Sequence, residues 1–133
     1  MVRFGLIGAS GYIAPRHMSA MKNVGGELVT MLDPNDSVGV VDRHHPNATY
    51  FSEYERFDRE VDRLKRMGKG LDYISIASPN YLHDAHIRFA LKNGSHAICE
   101  KPLVLNPYSI SSLEELQVET GKKIYPILQL RLH

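Results

Sequence analysis

Lys101 stands between Glu100 and Pro102, directly after Ala97, Ile98 and Cys99, an apolar run of strand length. An ammonium held at the end of a strand can orient a hydroxyl group. To act as a base it would need a depressed pKa, which burial or a second cation provides and which the Glu100 carboxylate opposes, so these neighbours favour positioning over proton abstraction. A secondary alcohol oriented in this way needs a hydride acceptor on its other side before it can be oxidised. A surface lysine in a salt bridge is the structural alternative. Placement at the carboxyl end of a strand, where open parallel sheets bind ligands, favours the chemical role.

At the other end of the chain Val2 to Ile7 reads as a strand and runs into Gly8-Ala9-Ser10-Gly11-Tyr12-Ile13-Ala14. A glycine turn that opens into a helix presents free backbone N–H groups, and those donors together with the helix dipole hold a pyrophosphate. Gly8, Ser10, Gly11, Tyr12 and Ile13 are the candidate contacts. The G-x-x-G-x-x-A spacing is one residue longer between its first two small positions than G-x-G-x-x-G, and alone it is a common turn. Asp33 strengthens it, because an acidic residue just past the second apolar run, Glu27 to Leu32, can accept hydrogen bonds from an adenosine ribose. A carboxylate there favours NAD and repels a 2'-phosphate. Asn35 belongs to the same Asp33-Pro34-Asn35-Asp36 segment, which could otherwise be an ordinary turn with a helix cap. Ser78, Pro79, Asn80 and His83 follow another apolar run and would line the nicotinamide side of such a site, with Asn80 also capping the next helix.

The elements that must position these groups alternate between strand-length apolar runs and helical patterns, which argues for a doubly wound α/β fold with a parallel sheet. The expected strands are Val2 to Ile7, Glu27 to Leu32, Ala48 to Phe51, Leu71 to Ala77, His96 to Cys99 and Lys123 to Leu130. Helices are expected after the glycine turn to Asn23 with Pro15 in the first turn, over Ser37 to Asp42, from Leu82 to Asn93 with Gly94 as stop, and from Pro107 to Thr120, capped by Asn106 and ended by Gly121. Between them Ser52-Glu53-Tyr54-Glu55 has the form of a capping box, and Tyr54, Phe57, Val61 and Leu64 recur on one helical face. The charged residues on the other faces of that helix read as a solvated exterior.

A chain of 133 residues is one domain long, residues 1–133, and large enough to bury a core. Sixteen Lys plus Arg against fifteen Asp plus Glu leave a net charge of +1, so nothing calls for nucleic acid or an anionic membrane, and small molecules are the expected partners. No apolar stretch reaches the roughly 18 residues of a membrane span, and the first strand is too short to be a signal peptide, so a cytoplasmic protein is expected. The single cysteine, Cys99, excludes an internal disulfide and reads as a buried strand thiol. His83 and His86 lie three apart, His44 and His45 adjoin, and His96 precedes Cys99 by three, but no set has a metal-ligand spacing, and His96 and Cys99 should face opposite sides of one strand. No metal is expected, and these histidines read as polar helix or turn residues.

With these residues assembled, the chain resembles the Gfo/Idh/MocA family of oxidoreductases across essentially its whole length. The glycine turn, Asp33, Ser78-Pro79-Asn80-Tyr81-Leu82-His83 against the family's T-P-N-x-x-H, and Glu100-Lys101-Pro102 against its E-K-P carry the resemblance. The stretches G-A-S-G-Y-I-A-P-R-H, L-D-P-N-D-S-V-G and I-C-E-K-P-L look most like a subgroup that oxidises the 3-hydroxyl of UDP-N-acetylglucosaminuronate with NAD in lipopolysaccharide O-antigen biosynthesis. The resemblance implies a Rossmann domain in which Lys101 touches the sugar as the catalytic residue and Glu100 lies by the nicotinamide ribose. It further implies a Lys101-Pro102 bond open to the cis form, and Arg16 and Arg131 as candidates for anionic parts of the nucleotide-sugar or coenzyme. Family members carry a second α/β domain with a catalytic His, and this chain stops before it, so an NAD-dependent sugar dehydrogenase represented by its cofactor half, unable to turn over alone, is the expectation. A homo-oligomer is compatible with it. The alternatives are a non-catalytic dinucleotide-binding or regulatory module, against which Glu100-Lys101-Pro102 speaks, and a purely structural domain.

Overall fold

A computed structural model of the chain describes residues 1–8, 14–34, 47–100 and 107–127. Six strands, β1 (Arg3–Ile7), β2 (Glu27–Leu32), β3 (Thr49–Phe51), β4 (Tyr73–Ile76), β5 (His96–Glu100) and β6 (Ile124–Ile127), form one sheet in the order β3-β2-β1-β4-β5-β6. Every pairing is parallel. The order reverses at β1, which pairs with β2 on one side and β4 on the other, so the crossovers leave β1 in opposite directions and open a crevice above its carboxyl end. This is the doubly wound Rossmann architecture expected from the alternating pattern. Its described helices are α1 (Ala14–Asn23), α2 (Tyr54–Arg66), α3 (His83–Lys92) and α4 (Pro107–Thr120).

Alternation along the strands sorts the core into two layers. Phe4 and Leu6 of β1 meet Met18 and Met21 of α1 on one face, while Ile7, Ile74, Ile76, Ala97 and Cys99 meet Phe57, Val61, Ile87, Leu91 and Leu113 from α2, α3 and α4 on the other. Cys99 forms no disulfide and is fully buried, as its place in a two-sided strand predicts. His96 sits on the opposite face among Tyr73 and Tyr125, and no cluster of metal-ligating side chains occurs among the described residues.

Two local expectations need correction. Ser52 does not cap α2: the N-cap is Glu53, in extended conformation and without a side-chain cap, and Tyr54 is 43% exposed whereas Phe57, Val61 and Leu64 are buried. The helix begins two residues after Ser52, which puts Tyr54 at its first position, where the ring packs edge-on 5.5 Å from Phe89. The ion pairs Arg56–Glu53, Arg63–Glu60 and Arg66–Asp62 occupy its solvated side, as the charge pattern implies. Asn80 is not a cap either. A 3-10 turn over Asn80–Leu82 precedes α3, and neither it nor α3 has a side-chain cap. The expected helix over Ser37 to Asp42 lies outside the described residues, and Gly94 ends α3 with φ of +79°.

Candidate functional site

The site grows from the point where β1 stops. Gly8 donates its N–H to Leu32 O at 2.7 Å and adopts φ of +95°, a conformation that other residues take at a cost. A Cβ there would lie 2.6 Å from Ala77 C, 2.7 Å from Ala77 O and 2.8 Å from Ser78 N. Gly8 therefore lets the first turn press directly on the peptide that leaves β4, a packing role that motif spacing alone does not reveal. α1 starts at Ala14 with Pro15 in its first turn, so the helix begins directly after the glycine segment, as expected. Ser10, Gly11, Tyr12 and Ile13 lie outside the described residues, as do Asn35, Lys101 and Arg131 and the side chain of Glu100.

Asp33 follows β2 and is only 7% exposed. Its N–H donates to Phe51 O at 3.0 Å, and its carbonyl accepts from the Tyr50 hydroxyl at 3.1 Å. Both bonds come from β3, which clamps the residue at the carboxyl edge of the sheet.

Ser78 leaves β4 and is buried, whereas Pro79, Asn80 and Tyr81 are exposed. His83 Nε2 lies 2.9 Å from Ser78 O, and because a carbonyl can only accept, that nitrogen carries the proton. The Ser78 hydroxyl lies 2.7 Å from His86 Nδ1. Both are helix residues, as expected, but the structure buries them: His83 is 1% exposed and His86 9%. Burial, and then the neighbouring His83, push the His86 imidazole down to about 4, so it is neutral at physiological pH.

These groups meet around a cleft of about 720 Å³, a size usual for small-molecule sites. Gly8, Asp33, Ser78 and Pro79, all expected at the site, line it together with Leu32, Pro34, Ser52, Tyr54, Tyr81, Leu82 and His86. Asn80 and His83 do not line it; His83 supports Ser78 from behind. Arg16 is exposed on α1 and is not part of this cleft. Sequence reasoning missed His86, although its offset of three from His83 already placed both on one helical face, and it missed Tyr54, read only as part of one helical face with Phe57, Val61 and Leu64.

Residues 2–127 match the model of an oxidoreductase family with an NAD-binding Rossmann fold, GFO_IDH_MocA. The chain belongs to the Gfo/Idh/MocA oxidoreductases. It supplies their NAD-binding Rossmann domain, as the glycine turn and Asp33 led one to expect. Among solved structures of this family, the WlbA (WbpB) dehydrogenase from Thermus thermophilus, in complex with NAD and UDP-GlcNAcA, is 53% identical with a TM-score of 0.95, over 100% of this chain and 43% of that one. A glucose-6-phosphate 3-dehydrogenase of Bacillus subtilis is 34% identical over 122 residues, which are 89% of this chain and 29% of the relative. An uncharacterized oxidoreductase of Rhizobium meliloti is 28% identical over 100% of this chain and 38% of its own length. The chain thus spans less than half the length of each of these relatives. No helix among the described residues is long and apolar enough to cross a membrane.

Proposed function

We propose that this chain is the coenzyme-binding part of a cytoplasmic NAD-dependent dehydrogenase that oxidises the 3-hydroxyl of UDP-N-acetylglucosaminuronate. The observation that carries the reading is the 53% identity, over the full chain, to a dehydrogenase crystallised with NAD and UDP-GlcNAcA. The cleft fits the adenosine half of the coenzyme: Asp33 stands as a carboxylate at its wall, Gly8 adds no side chain at its floor, and the remaining lining is largely apolar. Bound NAD supplies the hydride acceptor.

In this reading the Asp33 carboxylate accepts hydrogen bonds from the adenosine ribose hydroxyls and repels a 2'-phosphate. The amides from Gly8 to Ile13, with Ser10, Gly11 and Tyr12, approach the pyrophosphate, and Asn35 borders the ribose. Ser78 and Pro79 cover the adenosine half from the β4 side, not the nicotinamide side expected from the sequence, because they share one cleft with Asp33. Glu100 lies near the nicotinamide ribose, and Lys101 donates to the sugar 3-hydroxyl and fixes its direction without removing the proton. Arg16 and Arg131 are assigned to anionic groups of the coenzyme or nucleotide-sugar, and proton acceptance to a residue outside these 133.

Calorimetric titration of the chain with NAD and NADP tests the coenzyme assignment. NAD binding at least tenfold tighter is expected, and a preference for NADP would refute it. Addition of UDP-GlcNAcA to the NAD-loaded chain should raise its melting temperature, and Lys101→Ala should abolish that increment.

A further inference from the structure

Two histidines one turn apart in α3 hold the two polar ends of Ser78: His83 Nε2 donates to its carbonyl at 2.9 Å, and His86 Nδ1 bonds its hydroxyl at 2.7 Å. Ser78 is thereby fixed at both backbone and side chain by one rigid element. With Nδ1 committed, Nε2 is the remaining hydrogen-bonding atom of His86. Among the described residues it has no hydrogen-bond partner, yet it is not one of the side-chain atoms sealed from solvent without one. His86 is nine-tenths buried and lines the cleft, so this nitrogen opens there.

Either placement of the proton gives the same outcome. If the Ser78 hydroxyl donates to Nδ1, then Nε2 carries a proton and donates while Oγ can still accept; if Nδ1 donates to Oγ, the hydroxyl proton is available to the cleft and Nε2 accepts. The wall therefore offers one donor and one acceptor side by side. Around them Leu32, Pro34 and Leu82 are apolar, and the ring of Tyr81, 78% exposed, stands at the rim. The neutral state of His86 removes the positive charge that a phosphate would seek. An adenine edge presents the complement, an amino donor beside a ring-nitrogen acceptor.

We propose that the Ser78–His86 pair reads the adenine edge of the dinucleotide, with His86 the specificity-determining residue and His83 the positioning residue behind Ser78. The inference rests on the reading of this cleft as the coenzyme site. Calorimetry with NAD and with the NAD analogue carrying unsubstituted purine in place of adenine tests it on the wild type, His86→Phe, His86→Gln, and Ser78→Ala alone and combined with His86→Phe. The wild type should bind NAD about tenfold more tightly than the analogue, a difference of about 1.4 kcal/mol, and His86→Phe should bind the two alike. His86→Gln, which keeps an amide near the Nε2 position, should recover most of the discrimination, and the double substitution should be no less selective than either single one because the pair acts as a unit. Discrimination that persists in His86→Phe, including equal weakening of both ligands, would overturn the role of the pair and leave the NAD reading standing. So would a wild type that binds both ligands alike. A wild type that binds neither would overturn both readings.

Discussion

The two edges of the sheet carry similar residues and differ in what those residues can do. At the carboxyl edge lie the cleft of about 720 Å³, His86 and two tyrosines, Tyr54 and Tyr81; at the amino edge lie a hollow of about 450 Å³, His96 and Tyr73. Burial lowers the pKa of both histidines, aided by His83 in one case and by Lys122 in the other. His96 Nδ1, however, accepts from the Lys123 N–H at 3.0 Å, and its ring packs 5.2 Å from Tyr73 and 5.8 Å from Tyr125. It serves the strand joint at the base of β5 and β6. His86 instead leaves one ring nitrogen for the cleft. Residue type does not separate the edges; topology does, because the crossovers diverge only above β1, and there buried polar groups can meet a ligand.

The strongest way to break this contrast is with glycine. Gly8→Ala combines a positive φ with contacts under 3 Å to the Ala77–Ser78 peptide, whereas Gly121→Ala at φ of +73° meets nothing within 4 Å. Gly8→Ala should lose roughly 3 kcal/mol of stability and most NAD binding, and Gly121→Ala about 1 kcal/mol with binding intact, as read by denaturant unfolding and calorimetry. Equal losses would mean that the close approach at the carboxyl edge has no special weight.

Asp33→Asn should weaken NAD by roughly tenfold to a hundredfold, the range of hydrogen bonds to a charged group, and should narrow the gap to NADP. A titration in which NAD affinity holds would detach the clamped carboxylate from the coenzyme.

Acid stability sharpens the comparison of the histidines. His86 titrates near 6.5 in the unfolded chain and at about 4 in the folded one, so between those values the unfolded state binds more protons. The stabilisation is complete above pH 6.5 and is lost as pH falls toward 4, on the order of 3 kcal/mol in all. Urea unfolding across this window should show a slope that flattens in His86→Phe. In His96→Asn the slope should change less, since that ring is only half-buried. The smallest effect is expected from Tyr125→Ala, on an exposed ring of the amino edge: a stability loss within about 1 kcal/mol and unchanged NAD affinity.

Much of this was legible in the residues. The strands β1, β2, β4 and β5 were placed within about two residues because each is a short apolar run, and the buried face of α2 followed from the spacing of Phe57, Val61 and Leu64. Gly8, Asp33, Ser78 and Pro79 were named from motif chemistry and do converge on one cleft. The errors at Ser52, Tyr54 and Asn80 share one cause. Each assumed that a helix starts where its local signal begins, and the loops from β3 and β4 start their helices one or two residues later.

Local chemistry thus determined by itself the α/β order, the glycine turn, the acidic residue after β2 and membership in a dinucleotide-binding family, since those properties reside in short runs of side chains. Tertiary structure alone decided that Gly8 bears on the Ala77–Ser78 peptide, that His83 and His86 turn inward to grip Ser78, and that His96 accepts from the Lys123 N–H. Those outcomes depend on which strands become neighbours, and β1 meets β4 only after some seventy intervening residues have folded around it, as the Phe4–Tyr73 pairing records.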